Sequence, residues 1–291
     1  MICFALSFAA ECQGQSAFAT NYQTFGEGEP ILIINGGPGM NSNGFADMAK
    51  TISQLGYTTI IYDQRRTGKS VLKKVDSTTI TMDLIAKDIE DLRIQLKIDK
   101  WTVLGHSFGG LLACHYYSKY PESVNKLIFS SSGGVDLNFR NYLAEQIQDN
   151  LTSPQQDSLS FYQDKITAGD TSFQTRSKRA EFVANAYVYH KDFAKRIAGR
   201  LMEMNWNVNS LVIQDLVNIN YNYKNKFIKS KIPVLVIQGK NDIIKVETAE
   251  EIKKSFGNAK IQLLNNCGHY GWLDNPTKYF GSIQTFLQRN S

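Results

Sequence analysis

Six short apolar runs recur along the chain with helical patterns between them, and this alternation limits the possible fold more than any other feature of the sequence. Residues 30–35, 57–63, 101–105, 126–130, 232–238 and 260–264 are dominated by Ile, Val, Leu and aromatic side chains. Each reads as a strand covered on both faces, which is what a parallel sheet requires. Between them, residues 82–97 place Ile85, Ile89, Leu92 and Leu96 on one face of a helix and charged residues on the other. Alternating strand and helix predicts an α/β fold with a doubly wound, mostly parallel sheet. Residues 18–25 read as an antiparallel strand that turns through Gly26-Glu27-Gly28 into the first parallel one.

The alternation stops between about residues 133 and 230 and resumes at Ile232. This interval predicts an inserted helical cap, with helices over 141–150, 154–167, 177–189, 192–204 and 209–218. Its many aromatic residues suit a local core and an apolar roof over a site. The expected organisation is thus residues 17–132 and 231–291 as the core and 133–230 as the cap.

One apolar run leads straight into chemistry. Val103-Leu104-Gly105-His106-Ser107-Phe108-Gly109-Gly110 is a strand followed by a G-x-S-x-G turn and then a helical pattern. Such an elbow lifts one serine hydroxyl above the sheet, and its glycines let strand and helix approach closely. A serine nucleophile needs a histidine base and a carboxylate to orient that base. Of the four histidines, His106 is adjacent to Ser107 and should point away from its hydroxyl, His115 lies two turns down the next helix, and His190 sits in the cap. His269, after the last strand, remains. Asp242 ends the turn after the strand at 232–238 and is the first candidate acid, with Asp136 second; Asp274 reads as a helix-entry residue before Pro276. The oxyanion donors should be the amides of Phe108 and of Gly37, in the loop Asn35-Gly36-Gly37-Pro38-Gly39. Gly68-Lys69-Ser70 imitates the end of a nucleotide-binding loop, but Asp63 occupies the place of the required earlier glycine.

These motifs, and the order Ser, Asp, His, resemble the α/β-hydrolase superfamily, and within it the proline iminopeptidase branch. The family's H-G-G-P-G loop is present with Asn35 for its histidine, and its D-Q-R-G-x-G-x-S motif as Asp63-Gln64-Arg65-Arg66-Thr67-Gly68-Lys69-Ser70, with Arg66 for a glycine. The resemblance implies a serine hydrolase releasing an N-terminal residue, often proline, from peptides whose free amine is held by cap carboxylates. The family's cap pattern is not recognisable. Glu203, in a run that ends on Trp206, is the nearest candidate for binding that amine, and Glu181 is second; each otherwise reads as a solvated helix residue. A carboxylesterase or lactonase acting on small acyl substrates is the alternative, and a non-catalytic ligand-binding receptor the second. In each case the partner is a small molecule or short peptide.

Composition excludes other classes. The net charge of +5 over 291 residues comes from Lys and Arg scattered among acidic residues, so no basic stripe of the kind nucleic acid needs is present. Cys3, Cys12, Cys114 and Cys267 have neither zinc-site nor disulfide-framework spacing. No metal or organic cofactor is expected. Residues 1–16 read as a remnant of an export signal, with an apolar stretch at 2–10 but no Lys or Arg before Lys50; a loose N-terminal strand is the alternative. Export to the periplasm or beyond is the favoured location and the cytoplasm the other. That apolar stretch is too short to span a bilayer.

Overall fold

The computed structural model describes residues 19–288; the expected signal remnant, Cys3 and Cys12 lie outside them. Seven strands form one sheet: β1 (Tyr22–Phe25), β2 (Glu29–Ile34), β3 (Tyr57–Tyr62), β4 (Trp101–His106), β5 (Val124–Ser130), β6 (Val234–Gly239) and β7 (Ala259–Leu264). Their spatial order is β1-β3-β2-β4-β5-β6-β7. β1 runs antiparallel to β3, and every other pair is parallel. All six apolar runs are strands, and their carboxyl ends share one edge.

Helices cover both faces. Those of the core are α1 (Ala46–Ser53), α2 (Met82–Gln95) and α3 (Phe108–Lys119), and α9 (Val246–Ser255), α10 (Gly271–Asp274) and α11 (Pro276–Gln288). Between β5 and β6 lie α4 (Leu143–Asp149), α5 (Ser153–Thr167), α6 (Phe173–Tyr187), α7 (Ala194–Met202) and α8 (Trp206–Asn218). Successive strand residues point to opposite faces. Leu32, Ile34, Ile60 and Val103 accordingly join Ile85, Ile89 and Leu112 in one core, while Ile31, Ile33, Ile61 and Leu104 join Met48, Ile52 and Ile283 in the other. Each such side chain, fully buried, is worth roughly 1.5–3 kcal/mol, so the central strands are pinned from both sides.

Three details depart from expectation. β7 is not covered on both faces: it is an edge strand paired with β6 alone, with Lys260 exposed and Ile261 to Leu263 half-buried. Helix α2, capped by the Thr81 hydroxyl accepting from the Leu84 amide, stops at Gln95 rather than Lys97, because Lys97 turns left-handed at φ +55°. No glycine marks that stop. Finally, α8 packs into the main core through Val208, Val212 and Leu216, with Tyr221, Tyr223 and Phe227 beside them, so the excursion between β5 and β6 is partly built into the sheet's own core.

The turn after β3 carries one departure from the family motif. Asp63 is a hub: its carboxylate accepts from the Ser42 amide and hydroxyl, the Lys69 amide and the Asn21 side chain. A Cβ on Gly68 would lie 2.2 Å from Asp63 Oδ2, so the imitation nucleotide loop wraps a carboxylate instead of a phosphate. Arg66, which replaces the family's glycine, sits exposed at φ +58°. A left-handed backbone costs an L-residue about 1–2 kcal/mol; the extra freedom of an unfolded glycine costs about 0.5–1 kcal/mol. The first term is larger, so Arg66→Gly is expected to raise the thermal midpoint, by about 1–3 °C. A midpoint that stays put or drops in scanning calorimetry would contradict this account.

Candidate active site

The elbow between β4 and α3 holds Ser107 at φ +55°, ψ −121°, a conformation that stores strain in any non-glycine residue. The neighbouring glycines have a steric reason. A Cβ on Gly105 would stand 2.3 Å from the Gly109 carbonyl oxygen, and one on Gly109 would stand 2.2 Å from that of Ile34. Both clashes are with backbone, so nothing can swing aside. The Ser107 amide donates to the Ser130 carbonyl at 3.0 Å, and the Ser107 carbonyl accepts from the amides of Gly110 and Gly133. The backbone is therefore fixed from three sides while the side chain is left toward a cavity of about 80 Å³, which His269 also lines.

His269 Nδ1 lies 2.7 Å from Asp242 Oδ1, and both side chains are buried. Asp242 is itself held: Oδ2 accepts from Gln238 Nε2 at 2.7 Å and Oδ1 from the Ile244 amide at 2.9 Å. With one imidazole nitrogen anchored on a carboxylate, the other is free to exchange a proton with a hydroxyl. Tyr187 and Tyr270 meet the His269 ring edge-on at 5.2 and 5.5 Å between centroids. The histidine loop is tied to the helical excursion by the His269 amide donating to the Tyr187 carbonyl at 2.7 Å.

The loop after β2 approaches the serine from the other side. A Cβ on Gly36 would lie 2.7 Å from Ser107 Cβ, and Gly37 adopts φ +64°. Asn35 braces this loop, its Nδ2 donating to the carbonyls of Gly36 and Met40 at 3.0 and 3.1 Å, while Gln64 Nε2 donates to the Asn35 carbonyl. In a trans peptide the carbonyl and the next N–H point in opposite directions, so holding the Gly36 carbonyl also orients the Gly37 amide. Among the described residues neither the Gly37 nor the Phe108 amide has an acceptor.

The structure thus brings Ser107, His269, Gly37 and the His269–Asp242 pair to one cavity. Other candidates lie elsewhere. Asp136 is ion-paired with Lys224 at 2.6 Å. Glu181 is paired with Lys178 at 2.9 Å on α6 and does not line the cavity; nor does Trp206, which is 56% exposed. Glu203 lies just beyond the cavity wall, held by Asn41 Nδ2 at 2.8 Å and ion-paired with Arg200. His106 does not simply turn away from the site. It is buried in the cavity wall, 4.7 Å from the His269 ring and 3.3 Å from the Ser130 hydroxyl.

Several contributors carry no sequence motif. Gln238 is the last polar residue of an apolar strand, and only its burial reveals that it holds Asp242. Asp274, expected as a helix-entry residue, instead accepts from the amides of Gly268, Tyr189 and His190, clamping the histidine loop to the strap after α6. The cavity roof comes from α7, which supplies Arg196, Ile197, Arg200 and Leu201. Among the described residues no cluster of His, Cys, Asp and Glu could hold a metal, and no helix is long and apolar enough to cross a membrane.

A doubly wound sheet with a serine elbow and an acid–histidine pair at its carboxyl edge defines a class, and comparison with known proteins agrees: residues 29–276 match the α/β-hydrolase fold family, and the chain belongs to it. Within that family it is similar to a proline iminopeptidase of Lactobacillus helveticus, with 25% identity over 94% of this chain and 95% of the relative. Among solved structures, the proline iminopeptidase of Mycobacterium smegmatis superposes with a TM-score of 0.74 at 20% identity, over 93% of this chain and 94% of that one. An esterase from Exiguobacterium antarcticum superposes at 0.70 and 19% identity, over 92% and 95%. At these identities the two structures show a shared fold.

Burial sets a pH limit on the site. Desolvation first, and then the proximity of His269, hold the His106 pKa well below the usual imidazole range. Burial also lowers His115, although its hydrogen bond to Asp83 opposes the shift. Both histidines bind a proton less readily folded than unfolded, so their contribution to stability is complete above about pH 6.5 and is lost as the pH falls below it. The thermal midpoint should therefore drop between about pH 7.5 and about pH 5.5, and drop less in His106→Asn. A midpoint that is flat across this interval, or falls equally in the variant, would refute the assignment.

Proposed function

We propose that this protein is a serine hydrolase that opens the acyl bond of a small substrate through an acyl-enzyme on Ser107. The observation that carries the reading is the shared cavity of a serine on a strained elbow and a histidine whose Nδ1 is anchored 2.7 Å from a buried aspartate. His269 takes the Ser107 proton as the hydroxyl attacks the substrate carbonyl. Asp242 keeps the imidazole in the right tautomer and stabilises the imidazolium. The amides of Gly37 and Phe108 receive the oxyanion. His269 then protonates the leaving group, and water, activated by the same imidazole, releases the acyl group and restores Ser107.

Release of an N-terminal residue from a short peptide, of the proline iminopeptidase type, is supported by relatives of that name matching nearly the whole chain. A second reading, hydrolysis of small acyl esters, is favoured by one observation. Among the described residues no carboxylate lines the cavity wall to receive a peptide's free amine, and Glu203 is already engaged by Arg200 and Asn41.

Ser107→Ala or His269→Ala should lower kcat by a factor on the order of 10⁶ with the circular dichroism spectrum unchanged, and Asp242→Asn by about 10⁴. Turnover near that of the wild type in either of the first two variants would end the proposal. Prolyl arylamides, their N-blocked forms and short acyl esters offered side by side separate the two substrate readings: an aminopeptidase cleaves the first and rejects the second.

A further inference from the structure

The roof of the cavity has a charge that a peptide amine would not choose. Arg196 and Arg200 lie one helical turn apart on α7 and both line the cavity with Ser107 and His269. Arg200 is seated there by the loop below. Its Nη1 and Nη2 donate to the side chain and carbonyl of Asn41 at 3.0 and 2.7 Å. Gly44 makes room for its head, since a Cβ there would lie 2.2 Å from Arg200 Nε. Its side chain is only 14% exposed. The compensating carboxylates are outside the cavity: Glu203 takes Arg200 Nη1, and Asp47 takes Arg196 Nη2 at 2.8 Å. Among the described residues Arg200 Nε has no acceptor.

Two phenols of the wall can donate to an anion as well, although a hydroxyl oxygen also accepts. Tyr187 and Tyr270 line the cavity, and among the described residues neither hydroxyl has a hydrogen-bond partner. Burial raises both phenols, Tyr187 to about 12 with Asp242 adding to the shift, so each keeps its proton at neutral pH. An ammonium group brings three donors and a positive charge. In this cavity it would meet two guanidinium groups and, among the described residues, no lining carboxylate. A carboxylate brings two acceptor oxygens and the opposite charge, and guanidinium is the side chain whose fork matches it.

On the serine-hydrolase reading, we propose that Arg196 and Arg200 form an anion subsite, and that the natural substrate carries a carboxylate on the part held under α7: a hemi-ester or hemi-amide of a small dicarboxylic acid, not a peptide with a free amino terminus. Ser107 and both arginines line one cavity, so the carboxylate and the scissile carbonyl would belong to the same acyl group. Hydrolysis of such a hemi-ester consumes one water, breaks the acyl–oxygen bond through the Ser107 ester, and yields the free diacid and the alcohol.

The test reads the rate at which a neutral fluorophosphonate labels Ser107 in the presence of succinate, succinamide or prolinamide, and pairs it with turnover of the p-nitrophenyl esters of succinic and butyric acids. Succinate should slow labelling while the neutral and cationic compounds do not, and the succinyl ester should be favoured in kcat/KM by about tenfold, the equivalent of one charge-assisted hydrogen bond. Arg196→Gln and Arg200→Gln should each erase most of that preference, chiefly through KM. Arg196→Gln carries the test should Arg200→Gln fail to fold, because among the described residues Arg196 is bonded only to exposed Asp47. Protection by prolinamide instead of succinate, or a succinate preference that survives Arg196→Gln, overturns the subsite and leaves the hydrolase intact. Failure of Ser107 to label at all, with neither ester cleaved, overturns the hydrolase reading itself.

Discussion

Everything at the carboxyl edge of the sheet depends on how closely β4 and α3 can approach at Ser107. The turn works because Gly105 and Gly109 bring backbone within about 2.3 Å of where a Cβ would stand, a distance no side chain tolerates. That contact fixes the left-handed serine. The serine then fixes the rest: Gly36 has to be a glycine because Ser107 Cβ occupies its side-chain space, and β2 has to lie beside β4 for its loop to reach there. Steric exclusion among backbones, more than any attractive contact, aligns the proposed nucleophile with the proposed oxyanion donors.

A second constraint holds the helical excursion against that edge. The Asn205 amide donates to the Gly39 carbonyl, and Asn209 Nδ2 to that of Pro38, so α8 is fastened to the loop after β2. On the opposite side, the His269 amide donates to Tyr187, while Asp274 gathers amides from the histidine loop and from the strap after α6. Each of these bonds is worth about 0.5–1.5 kcal/mol, more where a charge takes part. They act on the same loops that carry the reacting groups. The excursion therefore does two things at once: it closes the cavity and it stiffens the chemistry below.

How much of this was legible follows from what kind of signal each feature leaves. The strands were readable because burial on two faces demands unbroken Ile, Val and Leu; the exception, β7, is an edge strand whose sequence is nearly as apolar as its neighbours. The juxtaposition of Ser107, Asp242 and His269 was readable because a parallel sheet delivers every strand's end to one edge, so position along the chain implies position in space. Lys97 ends α2 without a glycine, and no pattern announces that. Asp274 and Tyr187 act through hydrogen bonds and ring contacts between residues distant in sequence, and Gln238 through a bond across one turn, none of which periodicity encodes. The surroundings of His106 were hidden for a related reason: alternation along a strand predicts which face a side chain takes, but not that the loop after β7 will meet it there.

The cap residues were the least legible, and the structure explains why the family's pattern fades there. A carboxylate serves an amine only if its charge is uncommitted and faces the cavity. Glu203 satisfies neither condition: Arg200, three residues earlier, pairs with its carboxylate, and Glu203 is not among the residues that line the cavity. The pairing also works in reverse. Glu203 and Asn41 engage Nη1 and Nη2 and thereby hold the guanidinium beside Gly44. An arginine so fixed has already lost the rotamer freedom that binding would otherwise cost it, about 2 kcal/mol for a free side chain. The acid nearest to the amine-binding role that the family resemblance implies is, on the anion-subsite proposal, the residue that positions Arg200.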